Sequence, residues 1–119
     1  MTNTHKAKGT RWETIVTRFL QEFPALKHAR RIAATGALDE GDVHAWPFMI
    51  QAKARKAFDL AGWVRDAETQ AQRADFPYAV VIAKSPGKPA GEAFAVMRLS
   101  SFRRLASDFL EATGREIEE

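Results

Sequence analysis

Asp42, Gln51, Ala52 and Lys53 are the residues of this chain whose types and spacing could carry chemistry. The acid follows a glycine in "GDVHAWPFMIQAKARK", and the amide and lysine come nine and eleven residues later. Trp46-Pro47, between them, reads as a turn, because proline cannot donate inside a paired ladder. Antiparallel pairing about that turn sets Asp42 opposite Gln51, with Cβ atoms about 5 Å apart on a shared face. Alternation then sorts the hairpin. Val43, Ala45, Phe48, Ile50 and Ala52 form an apolar face that packs on the core, while Asp42, His44, Met49, Gln51 and Lys53 form a mostly polar face opposite it.

An acid, an amide and an ammonium gathered in this way suit phosphodiester hydrolysis. Mg²⁺ takes oxygen ligands, with one or two carboxylates, waters and substrate phosphate completing its octahedron. It polarises the phosphate and makes hydroxide available near neutral pH. Asp42, Gln51 and the backbone carbonyl of Ala52 are the candidate ligands. Lys53 would orient the nucleophile or balance developing charge. His44 is a neighbour or a phosphate contact. A solvated strand face would show the same alternation, and that reading stays open.

The elements that must position these residues are legible in outline. Trp12, Ile15, Val16, Phe19, Leu20 and Phe23 recur at helical spacing until Pro24 closes the run. Leu26 to Ala34 reads as a short basic strand with Arg30 and Arg31, and "TGALDEGD" as a turn-rich loop. Two strands follow, at about Gly41–Ala45 and Phe48–Lys53. "FDLAGWVRDAETQAQRAD" reads as a helix with Asp59 as N-cap and a stripe of Leu60, Trp63, Val64, Ala67, Ala71 and Ala74. "YAVVIAK" is a buried strand, "SPGKPAGE" a loop and "FAVMRL" a further strand. Ser100 or Ser101 caps a last helix containing Phe102, Leu105, Phe109 and Leu110. The order α-β-β-β-α-β-β-α predicts an α/β fold with a central mixed sheet flanked by helices.

With 119 residues the chain suits one compact domain. It has no cysteine, which excludes disulfides and thiolate metal sites and fits a reducing compartment. It has neither an apolar run of membrane-spanning length nor an apolar signal core, so the expectation is a soluble, cytoplasmic protein with no membrane partner. Charge is unevenly spread. Residues 105–119 hold one arginine against five acids, a net of −4, so the other 104 residues hold 17 basic and 10 acidic groups, a net of +7. A basic body suits a polyanion such as nucleic acid. The expected organisation is a loose N-terminus over residues 1–8, a single domain over 9–113 and an acidic tail over 114–119.

The ordered segments "KGTRWETIVTRFL", "RRIAATG", "GDV", "QAK" and "VVIAK" resemble the archaeal-type Holliday-junction resolvases of the PD-(D/E)XK, or restriction-endonuclease-like, nuclease superfamily. The resemblance runs over roughly residues 8–84, and the small, cysteine-free format is most similar to phage-encoded resolvases. It implies a restriction-endonuclease-like fold and a Mg²⁺-dependent endonuclease acting on four-way DNA junctions, with Mn²⁺ as a possible substitute. For a phage-encoded chain it implies the host cytoplasm. Glu13 matches the helix-one glutamate that joins or organises metal binding, Asp42 the metal-binding aspartate and Lys53 the catalytic lysine. Gln51 stands where the pattern has an acid. Its amide oxygen can ligate Mg²⁺ but carries no charge, so weaker metal affinity or a binding-only descendant follows. Glu68 is a candidate for the displaced carboxylate.

Lys8, Arg11, Arg30, Arg31, Arg55, Lys56, Lys84 and Lys88 are candidate phosphate contacts, which position DNA without reading its sequence. Lys84 and Arg30 come first among them. Trp12, Trp63 and the phenylalanines are read as core rather than as base-stacking platforms. Two symmetric cuts imply a homodimer, through the alanine-rich second helix around Trp63, Ala67 and Ala71 or through the C-terminal helix. The competing readings are a nuclease for other branched DNA, a non-catalytic DNA-binding module, and an α/β interaction subunit without a nucleic-acid role.

Overall fold

The hairpin that carries the candidate residues folds in the expected register. In the computed structural model, which describes residues 4–33, 42–114 and 117, strand β2 (Val43–Ala45) pairs antiparallel with β3 (Phe48–Lys53). The paired residues are Val43 with Ile50, His44 with Met49 and Ala45 with Phe48. The turn is Trp46-Pro47, joined by a cis peptide bond. Three further strands complete a five-stranded mixed sheet in the order β1-β2-β3-β4-β5: β1 (Arg30–Arg31), β4 (Tyr78–Ala83) and β5 (Phe94–Val96). Among the described strands only β3 and β4 run parallel, and the helix α2 (Leu60–Ala74) is their crossover.

Both faces of the sheet are covered, as expected of a sheet flanked by helices, so the polar face of the hairpin is not a solvated strand face. Helix α1 (Thr4–Gln21) lays Trp12 and Val16 on Val43, Ala45, Ile50 and Ala52. Helix α2 lays Trp63, Ala67 and Ala71 on Met49, Val81 and Ala83. The alanines of α2 let that helix approach the strands closely. They are consequently buried, and they drop out as a self-association surface. Leu60, expected in the same stripe, is exposed because it lies in the first turn, beyond the reach of the sheet.

Other boundaries move for local reasons. Helix α1 begins at Thr4 rather than near residue 9, since "HKAK" is compatible with helix and extends it. Leu26 falls in a 3₁₀ turn, Pro24–Leu26, so the expected strand over 26–34 shrinks to two residues. The loop at 34–41 and most of the acidic tail lie outside the described residues. Strand β5 stops at Val96, and the last helix, α3, spans Leu99–Thr113. Its N-cap is Arg98, with no capping side-chain bond, rather than Ser100 or Ser101. Arg98 is held from elsewhere: its guanidinium donates two 2.8 Å bonds to Glu68 on α2. Glu68 is therefore engaged far from the candidate site and is not a spare metal ligand.

The expected cap of α2 is present, as the Asp59 carboxylate accepts from the Gly62 N–H at 3.1 Å. A Cβ on Gly62 would collide with that carboxylate. In an ordinary helix Gly→Ala stabilises by about 1 kcal/mol. Here Gly62→Ala is expected to lower stability, and Asp59→Ala to cost about 1 kcal/mol, both read from urea unfolding. The two losses should be far from additive, because each removes the same cap.

Hydrogen bonding by Arg98 holds the Glu68 carboxyl below its ordinary value of 4.5. A depressed carboxylate contributes stability above its unfolded value and loses it as pH falls through the folded value. Glu68→Gln should therefore melt earlier than the parent at neutral pH. That gap should close as the solution is acidified below pH 4.5.

Candidate active site

One end of the sheet collects the chemistry. Antiparallel β1 and β2 and parallel β3 and β4 bring the carboxyl ends of β1, β3 and β4 beside the amino end of β2. Arg31, Asp42, Gln51, Lys53 and Lys84 therefore share that end. In α/β sheets, ligands are commonly bound outside the carboxyl ends of strands.

Asp42 lies at the mouth of the hairpin. Its N–H donates to Ile50 O (3.1 Å), and its carboxylate Oδ2 accepts from the Ala52 N–H at 2.8 Å. The side chain thus acts as a ladder acceptor for β3 and is turned into the end of the sheet. Gln51 and Lys53 face α2. Gln51 is 4% exposed, and its Oε1 has no hydrogen-bond partner. Leaving a buried acceptor unsatisfied costs about 1–3 kcal/mol. His44 is also buried on this side, 4.6 Å from the ring of Phe76, so it packs as a core residue and does not reach outward as a phosphate contact would.

Glu13 reaches the same end from the other face. Its carboxylate lies 3.7 Å from Arg31 Nε, and Arg31 pairs with Val43, the neighbour of Asp42. Glu13 and Asp42 therefore belong to adjacent positions of one sheet end, while Gln51 and Lys53 come from the α2 side. No group of three carboxylates or imidazoles able to hold a metal occurs among the described residues.

The donors nonetheless suit a hard cation in type: a carboxylate at Asp42, a buried amide oxygen with no partner at Gln51, and the main-chain carbonyl of Ala52 beside it. The same donors carry less charge than an all-carboxylate set. Affinity for a divalent ion falls with that count.

Trp12 and Trp63 are core residues, as expected, whereas Phe19, Phe23, Phe58, Phe94, Phe102 and Phe109, expected in the core with them, are exposed, and each of these two tryptophans also carries a lysine. Lys53 Nζ stands 5.8 Å from the centroid of Trp63, and Lys84 Nζ 5.7 Å from that of Trp12. Trp12 is oriented by donating to Ile82 O at 3.2 Å. Lys84 N–H donates to Lys53 O at 2.8 Å, which ties the two strand ends together. A cation over an aromatic face is attracted by the ring quadrupole, so both ammonium groups are held at the sheet end. No local signal reports this, since each pair spans distant positions in the chain.

Among the remaining basic candidates, Arg30, Arg55, Lys56 and Lys88 are exposed, and the last three follow the ends of β3 and β4. Arg11 is exposed on α1, and the side chain of Lys8 lies outside the described set. No helix among the described residues is long and apolar enough to cross a membrane.

Compared with protein-family models, curated proteins and solved structures, the chain matches none of them. The site stands on its own residues.

Gln51→Met keeps the volume and removes the unsatisfied oxygen. It should stabilise the protein in EDTA by about 1 kcal/mol, as read by urea unfolding. A clear loss of stability would mean that the amide is held by a partner within the protein.

Proposed function

We propose that this chain is a Mg²⁺-dependent, structure-selective DNA endonuclease with a restriction-endonuclease-like fold, acting on branched DNA as a Holliday-junction resolvase. The observation that carries the reading is the hairpin end: the Asp42 carboxylate accepts from the N–H of Ala52, whose neighbours in the chain are Gln51, with an unsatisfied side-chain oxygen, and Lys53. Supporting it are the element order α-β-β-β-α-β, which accommodates every segment of the resemblance, and a net of +7 outside residues 105–119.

Asp42, Gln51 and the Ala52 carbonyl would hold the cation. It would supply Lewis acidity toward the scissile phosphate and an acidified water. Lys53, braced on Trp63, balances charge developing on the phosphate. Glu13 and Arg31 organise the end of the sheet beside Asp42. Arg30, Arg55, Lys56, Lys84 and Lys88 take phosphates of the flanking duplex arms, which sets position rather than sequence. Junction cleavage requires two such sites and hence a two-fold dimer.

A binding-only module is the second reading. The observation favouring it is the lack of a three-carboxylate group among the described residues.

Labelled four-way junction and linear duplex, each with Mg²⁺ or EDTA, separate the two. Paired metal-dependent nicks in the junction alone are expected. Cutting of both substrates removes junction selectivity, and tight binding without cutting selects the second reading. Asp42→Asn keeps an acceptor for Ala52 N–H, so it should fold normally, bind junction and cut at least about a hundredfold more slowly, as expected for loss of a principal electrostatic group. Gln51→Glu should show a larger rise in melting temperature on adding Mg²⁺ than the parent does, a readout independent of cleavage.

A further inference from the structure

We infer that the candidate site takes an unpaired nucleobase, stacked on Phe58 and Phe94 beside Lys53, a step that rests on the nuclease function proposed above. The DNA it selects is then branched DNA with a base unstacked at the branch.

Phe58 and Phe94 come from separate segments and reach the same end of the sheet. Phe58 lies between β3 and α2, with its ring centroid 5.4 Å from that of Trp63. Lys53 Nζ stands 5.8 Å from the centroid of the same tryptophan. Phe94 opens β5 opposite Ala83, and Ala83 pairs on its other side with Lys53. Directly paired residues share a face. Val96, two residues on, packs with Trp63, Val81 and Ala83 in the α2 core, so alternation puts Phe94 on the α2 side as well. Lys53, Ala83 and Phe94 thus form one row across β3, β4 and β5. The outer two stand two strand spacings apart, about 10 Å.

Both rings are left in water, Phe58 at 46% exposed and Phe94 at 56%. The core beneath them is closed without them, since Trp63 and Ala83 are buried. Exposed apolar surface gathered at one place marks an interaction surface.

Charge identifies what binds there. Lys53 and Lys84 are held at this end of the sheet, and the exposed Arg55 and Lys56 lead directly into Phe58. The nearest acid in the chain, Asp59, is spent on the cap of α2. Aromatic faces interleaved with cations are what an unpaired strand requires: the rings take the faces of bases, and the cations take the phosphates. A base inside a duplex is already stacked on its neighbours and offers no free face. The contact therefore selects unstacked bases. It tolerates any sequence, because every base has such a face.

Anisotropy titrations in EDTA, with labelled oligothymidylate and a labelled duplex of equal length, test this without cleavage. The parent is expected to bind the oligothymidylate at least as tightly as the duplex. Phe58→Leu combined with Phe94→Leu keeps apolar bulk and removes both rings. It should weaken oligothymidylate binding at least about fivefold, the low end for one base–aromatic stack, and duplex binding by less than about twofold. Its circular-dichroism melt should stay in place, because both rings are exposed. Lys84→Gln should instead weaken both probes alike and flatten the salt dependence of each.

Equal losses on the two probes, or a parent that prefers duplex, overturn the stacking site and leave the nuclease reading standing. Binding of neither probe at moderate salt overturns both. A preference for oligothymidylate that depends on the two rings, in a protein that cuts no junction in Mg²⁺, supports the stacking site while selecting the binding-only module. A double variant that sediments differently from the parent while keeping both affinities shows that the rings meet another protein surface, and overturns the stacking site.

Discussion

The register of the β2–β3 hairpin is the constraint on which the rest depends. With Val43 opposite Ile50 and His44 opposite Met49, one side of the hairpin offers Val43, Ala45, Ile50 and Ala52 to α1, and the other offers Met49 to α2. A slip of one residue would exchange every side chain between these two cores. The same alternation that fills the cores turns Gln51 and Lys53 to one side and leaves Asp42 at the open end, within reach of Ala52 N–H. Parallel addition of β4 then brings Lys84 beside Lys53. The candidate site is thus a consequence of how the hydrophobic layers are registered and needs no separate scaffold.

Within that frame Gln51 is the residue that fits least well. A buried amide oxygen with no partner is a local cost that a methionine or leucine would avoid. Sites that break a packing rule without local compensation are where function is expected to reside. The two lysines make the complementary compromise. Their ammonium groups stand over the rings of tryptophans that belong to the core, and so are held at the end of the sheet. Apolar burial and cation placement are served by the same rings.

Strand β4 links two regions with different physics. At its carboxyl end, charged groups converge on a polar sheet edge. At its amino end, Tyr78 anchors α3 through Asp108 and Arg104. The bond to Asp108 raises the Tyr78 hydroxyl above its ordinary pKa. Because that docking is polar, the apolar stripe of α3 is left over. Six residues of strand separate the two regions, about 17–20 Å.

Much of this was legible in the residues themselves. Proline at position 47, the clean alternation around it and Asp59 ahead of an amphipathic run are local signals, and the turn, the register and the cap of α2 followed them. Nonlocal bonds were not legible. Helix α3 starts at Leu99, behind an Arg98 that is bound by Glu68, thirty residues away, whereas the serines that local propensity favoured are bypassed. The sequence by itself determined that the hairpin has two unlike faces and which residues share each. Only the tertiary structure decided that the polar face is also roofed, by the alanine-lined side of α2. Alternation records a difference between faces, but what covers a face depends on an element that closes over it from elsewhere in the chain.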